Sequence, residues 1–197
     1  MKDRTARVER KTTETDIRIE LNLDGQGKTN DIATGIPFFD HMLTLFSHHG
    51  FFDLCVYAKG DLEVDFHHTV EDLGLALGDA FSIALSDRKG ICRYGHQATP
   101  MDEALAVVTL DLSNRPFLVY DVPEELLKNG VSFSCLAKEF LRAFAVRGGI
   151  TLHVNVAYGE NEHHILEAVF KSLGRAMDQA VSMDARISGV RSSKGRL

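Results

Sequence analysis

Alternating apolar and polar residues mark positions 17–23 as a strand with one buried face, and roughly residues 28–36 form a second extended segment. Pro37, followed by apolar residues at helical spacing, predicts a helix that starts close to His41. Residues 52–58 alternate again, and from His67 onward Leu73, Ala76, Leu77 and Ala80 recur on one helical face. The same order returns later in the chain. Residues 105–112 and 116–122 read as strands, a helical stretch carries Glu139 and Phe144, residues 150–157 alternate, and Val169, Leu173, Ala176 and Met177 share a helical face.

Laid side by side, residues 40–80 and 138–176 match in pattern, with His41, Phe46 and Gly50 falling on Glu139, Phe144 and Gly148 at equal spacings. The chain therefore predicts an α+β fold of two similar β-β-α-β-α halves, residues 1–90 and 91–197. The linker falls near Ser86-Asp87-Arg88-Lys89-Gly90, and the second half ends in a basic tail that on composition alone reads as flexible. Each half has one sheet face to cover, so helix layers packed together between two sheets would bury both.

Each last helix opens on the same signature: His67-His68-Thr69-Val70-Glu71 and His163-His164-Ile165-Leu166-Glu167. The glutamates are expected near the positive ends of their helices. Positions i, i+3 and i+4 share a helix face, so one histidine and the glutamate can converge on one ion. Adjacent histidines diverge by about 100° around the axis, so the two members of each pair serve different metals. Adding His41 and its counterpart Glu139 gives eight candidate ligands, four for each of two ions, which leaves open positions on six-coordinate metals. Imidazole and carboxylate without thiolate suit Mn²⁺, Fe²⁺, Co²⁺ or Zn²⁺, and six-coordination favours manganese. His96 and His153 read as ordinary surface or hydrogen-bonded residues, while His48 and His49 are left open.

Composition narrows the function classes. With 44% apolar residues in 197 the chain can build a core, and it contains no run of about 18 apolar residues, so a soluble, cytoplasmic protein is expected. A net charge of −6 argues against a nucleic-acid partner. Cys55, Cys92 and Cys135 lack metal or redox spacing and are expected to be reduced and buried.

Several segments, in order and spacing, resemble the imidazoleglycerol-phosphate dehydratases. They are Glu14-Thr15, Leu21-Asn22-Leu23-Asp24-Gly25, Thr34-Gly35-Ile36-Pro37-Phe38-Phe39-Asp40-His41-Met42, His67 to Asp72, Asp87-Arg88-Lys89-Gly90, Met101-Asp102-Glu103-Ala104, His163 to Glu167 and Ser192-Ser193-Lys194-Gly195. The resemblance covers nearly the whole chain. It implies loss of water from D-erythro-imidazole-glycerol phosphate to give imidazole-acetol phosphate in histidine biosynthesis, with two Mn²⁺ per active site and sites built between subunits of a 24-subunit homo-oligomer. It implies His41, His67, His68, Glu71, His163, His164 and Glu167 as ligands, while Glu139 stands where the family pattern has histidine. Glu14 is then the candidate proton carrier beside the catalytic carboxylates Glu71 and Glu167, and Arg93, Arg115, Lys171, Ser192, Ser193 and Lys194 are expected on the substrate phosphate. Two other classes fit paired metals: a hydrolase of phosphate esters, and a metal-storage shell without turnover.

Overall fold

The computed structural model describes residues 4–126 and 132–197. Among them are eight strands and four α-helices: β1 (Thr5–Lys11), β2 (Thr15–Asn22), β3 (Asn30–Ala33), α1 (Pro37–His49), β4 (Asp53–Gly60), α2 (His67–Leu85), β5 (Tyr94–Met101), β6 (Ala104–Asp111), β7 (Phe117–Asp121), α3 (Phe133–Gly148), β8 (Thr151–Tyr158) and α4 (Glu162–Val181). The β-β-α-β-α order is present twice, and each copy is preceded by one further strand, β1 or β5.

These two strands escaped the sequence reading for a physical reason. Both lie at sheet edges, in the orders β1-β2-β4-β3 and β5-β6-β8-β7. β1 alternates only between half-buried and exposed, and β5 contains Gly95, Gln97 and Pro100, the last tolerated because an edge strand leaves one row of backbone groups unpaired. In contrast, β2 buries Ile17, Ile19 and Leu21 and turns Arg18 and Glu20 outward. The parallel pairs β3–β4 and β7–β8 need crossovers, which α1 and α3 supply. Ile19 pairs with Val56 as Val108 pairs with Val154, so the two sheets keep one register.

The helices lie between the sheets and pack across the halves, α2 against α3 and α1 against α4. Glycines set both crossings. A Cβ on Gly78 would sit 2.7 Å from the Phe144 carbonyl oxygen, and one on its counterpart Gly174 would sit 2.4 Å from that of Phe46. Phenylalanine rings then join the halves into one core: Phe39 meets Phe140 and Phe170, and Phe144 meets Phe46 and Phe81.

The segment read as a linker is locked down. Arg88, 5% exposed, donates to the carbonyl oxygens of Gly148 and Gly149 and so satisfies the orphan acceptors at the C-terminus of α3. The basic tail is likewise not loose: Gly90 N–H donates to Gly189 O at 2.8 Å, and Arg191 donates to Cys92 O at 3.0 Å. The three cysteines are thiols of intermediate exposure, where burial was expected.

Candidate metal centre

Both His-His-x-x-Glu segments are seated by the same local device. Two residues before the first histidine, the Asp65 carboxylate accepts the His67 amide at 2.7 Å and the Asn161 side chain accepts the His163 amide at 2.9 Å. Glu71 and Glu167 consequently lie one turn in; only α4 has an acidic residue, Glu162, in its first turn.

At the α1–α4 crossing, His41 Nε2 and His163 Nε2 both approach Glu167 Oε1, at 3.0 and 2.9 Å, while Lys171 Nζ donates to Glu167 Oε2 at 2.5 Å. Among the described residues this is the one group of three candidate ligand atoms within 4.8 Å of one another. Glu167 is 7% exposed. Burial alone would push its carboxyl up, but hydrogen bonds from Lys171, His41 and His163 hold it down at about 2. A permanently ionised, buried carboxylate between two imidazole nitrogens is the donor set expected of a divalent cation site.

The corresponding place on α2 and α3 is looser. His67 Nε2 lies 3.4 Å from Glu71 Oε2, and Arg142 bridges Glu71, at 3.3 Å, to Glu139. Arg142 was not foreseen, although its position one turn after Glu139 on a helix is a usable signal.

His68 and His164 turn elsewhere, as the helical angle between neighbours requires. Their rings stand at 88° and 87° to those of His67 and His163, with centroids 6.3 Å apart. Asp61 Oδ2 holds His68 Nδ1 at 2.9 Å and Glu103 Oε2 holds His164 Nδ1 at 2.7 Å. These hydrogen bonds raise both imidazoles above their ordinary value, and His164 leads in holding Glu103 at about 2. A carboxylate on Nδ1 fixes the ring and presents Nε2 outward, the usual arrangement behind a metal-binding histidine. Glu14, at the β1–β2 hairpin, places Oε2 3.8 Å from His68 Nδ1.

The expected phosphate residues divide. Arg93, Arg115, Ser192, Ser193 and Lys194 line one cavity of about 690 Å³ with Tyr94, and Lys171 instead joins Glu167. Arg93 gives Nε and Nη2 to Asp111 and Nη1 to Arg191 O, so two of its five N–H groups remain for a ligand. Arg115 is 68% exposed at its side chain and merely 4.0 Å from Asp111. His96 bonds Thr109 at the surface, as expected of it, and His153 is exposed. His49 lies two turns beyond His41 and lines a cavity with His48 and Arg175; burial lowers its pKa first, and neighbouring His48 acts the same way.

Duplicated α+β halves thus gather imidazole–carboxylate clusters at helix starts, and a cationic cavity opens at the other end of α4, where the Arg93 N–H donates to Ala180 O. The family model for imidazoleglycerol-phosphate dehydratase matches residues 34–177, and the chain belongs to that family. It is 60% identical over 193 residues to the imidazoleglycerol-phosphate dehydratase of Desulfosudis oleivorans, covering 98% of both chains. The protein of the same name from Syntrophobacter fumaroxidans is 60% identical over 194 residues, with the same coverage. Among solved structures, the dehydratase of Staphylococcus aureus superposes with TM-score 0.80 at 34% identity, over 91% of this chain and 99% of that one. The corresponding Pyrococcus furiosus structure gives 0.81 at 38%, over 96% of this chain and 100% of that one. The chain is accordingly a hydro-lyase.

Proposed function

We propose that the chain removes water from D-erythro-imidazole-glycerol phosphate to give imidazole-acetol phosphate, using two Mn²⁺ per active site. The observation that carries this reading is the paired design of the two signatures: one histidine of each faces the glutamate four residues on, and the other is oriented by a carboxylate on Nδ1. His41, His163 and Glu167 fit one such ion as they stand, while His67, Glu71 and Glu139 would hold the second in place of the Arg142 guanidinium that now spans the two carboxylates, and His68 and His164 face away from both. Bound metal would supply Lewis acidity that lets the substrate's imidazole ring carry negative charge.

The chain's own residues do the rest. Arg93, Arg115, Ser192, Ser193 and Lys194 hold the phosphate, with Arg115 offering the less encumbered guanidinium fork. Lys171, charged beside Glu167, favours an anionic group at the edge of that cluster. Glu14 accepts the proton from the carbon that keeps its hydroxyl, while the hydroxyl on the ring-bearing carbon departs with a proton as water. The enol that remains takes up a proton at the ring-bearing carbon and becomes the ketone.

His68 and His164 point away from the clusters of their own chain, which supports sites completed by other subunits of a 24-subunit assembly. We place the halves at residues 1–90 and 91–197 and the enzyme in the cytoplasm; among the described residues no helix is long and apolar enough to cross a membrane. Incubation with imidazoleglycerol phosphate and Mn²⁺ tests the proposal, and the ketone is the expected product. Release of inorganic phosphate would make the chain a hydrolase, and metal uptake without turnover would make it a storage shell.

A further inference from the structure

The two halves carry equivalent hairpins, and the hairpins are held in different ways. Superposing the pair Ile19–Val56 on Val108–Val154 places Glu14 on Glu103 and Thr15 on Ala104. Glu103 is consumed by structure: its Oε1 accepts the amides of Glu160 and Asn161, at 3.3 and 2.9 Å, and its Oε2 binds His164. That carboxylate is what ties the β5–β6 hairpin to the start of α4. Glu14, in contrast, has its side chain 52% exposed, so its hairpin must be anchored by something else.

The anchor is a buried network centred on Asp72. Asp72, 8% exposed, accepts from Thr15 Oγ at 2.5 Å through Oδ2 and from Arg10 Nε at 2.8 Å through Oδ1. Thr15 Oγ lies 3.1 Å from Thr12 Oγ, and Thr12 Oγ accepts the backbone amides of Glu14 at 3.1 Å and Thr15 at 2.9 Å. A continuous chain of hydrogen bonds therefore runs from α2 to the Glu14 backbone. The second half has no equivalent. Asp72, Thr15 and Arg10 are replaced there by Ala168, Ala104 and Thr99, and Thr99 Oγ is buried without a hydrogen-bond partner among the described residues.

We propose that Asp72, acting through Thr15 and Thr12, is a positioning residue: it fixes the Glu14 hairpin to α2 so that the Glu14 carboxylate stays available for proton transfer. The inference rests on the proposed role of Glu14. Asp72 sits next to Glu71 in sequence but about 100° around the helix, so it serves the hairpin while Glu71 faces α3.

Thr15→Val tests this on the side remote from the clusters, because it removes the hydroxyl and keeps the shape. Expected is a fall in kcat of about 10- to 100-fold, the size that a misplacement of about 1 Å produces, with KM and bound metal unchanged. Thr15→Ser should recover the rate, and the same Thr→Val change at Thr99, the buried threonine of the β5–β6 hairpin, should leave it unaltered. In a Glu14→Gln background, Thr15→Val should add no further loss, since the group it positions is gone. If Glu14→Gln is impaired but Thr15→Val only lowers the melting temperature, or the two losses multiply, the positioning role is overturned and the role of Glu14 stands. A fully active Glu14→Gln enzyme would overturn both.

Discussion

Gly174 lies where α4 crosses α1, and substituting alanine there sets two known effects against each other. Alanine favours a helix interior over glycine by about 1 kcal/mol. Its Cβ, however, would sit 2.4 Å from Phe46 O and 3.1 Å from Gly50 N, both backbone atoms. Carbon–oxygen contacts settle near about 3.3 Å, so the helices must part by roughly 0.9 Å. Overpacking of this kind costs about 1–3 kcal/mol, and a backbone neighbour that cannot rotate aside argues for the upper end. The net expectation is a loss of about 2 kcal/mol, or roughly 4–8 °C in melting temperature for a chain of this size. Function should suffer as well, because His41 stands on α1 while His163 and Glu167 stand on α4. A gap of that size spreads the cluster and should weaken metal binding about tenfold or more, as loss of a supporting contact does. Urea unfolding of chelator-treated protein, followed by circular dichroism, measures the first effect; calorimetric titration with Mn²⁺ measures the second. Gly78→Ala is the twin perturbation at the α2–α3 crossing. Gly189→Ala is the contrast, since nothing lies within 4 Å of its Cβ and only its φ of +81° resists the change. A Gly174→Ala protein that is as stable as the parent and binds metal equally well would refute the reasoning.

His68→Ala and His164→Ala should each lose metal and activity together; full metal occupancy in both variants would remove them from the ligand set. Arg115→Ala should raise KM for the phosphate ester with little change in stability, whereas Arg93→Ala should also leave the half-buried Asp111 with only the 4.0 Å contact to exposed Arg115 and remove the hydrogen bond to Arg191 O, at about 1–3 kcal/mol. Unchanged substrate binding in Arg115→Ala would take that residue out of the phosphate site. Chelator or mild acid should convert the assembly to smaller species, and Mn²⁺ at neutral pH should rebuild it; sedimentation reads this directly. The sign follows from the imidazoles: Asp61 and Glu103 raise His68 and His164, so protons displace metal as pH falls through those raised values. Glu167, held at about 2, stays ionised throughout that range and is not the sensor. A large particle that persists after complete metal removal would show that protein contacts alone suffice.

What was legible in the chain is what depends on near neighbours. Periodicity located the helices, the inner strands and the edge strands β3 and β7; on an inner strand, residues such as Ile17, Ile19 and Leu21 must alternate to reach a core on one side. The duplicated signature implied metal, and the helical angle alone separated His67 from His68 and His163 from His164. The edge strands β1 and β5 were not legible, because half-buried strands impose little alternation. Tertiary structure decided the partners. Glu167 meets His41 from 126 positions away, Glu103 reaches His164 across 61, and Arg88 caps α3 from 60. It also decided that Lys171 joins Glu167 rather than Arg93, and that the start of the basic tail is docked by the Arg93 and Arg191 side chains, which donate to Arg191 O and Cys92 O. Sequence spacing dictates which face of an element a side chain occupies; which charge or carbonyl awaits it there is settled only when the elements pack.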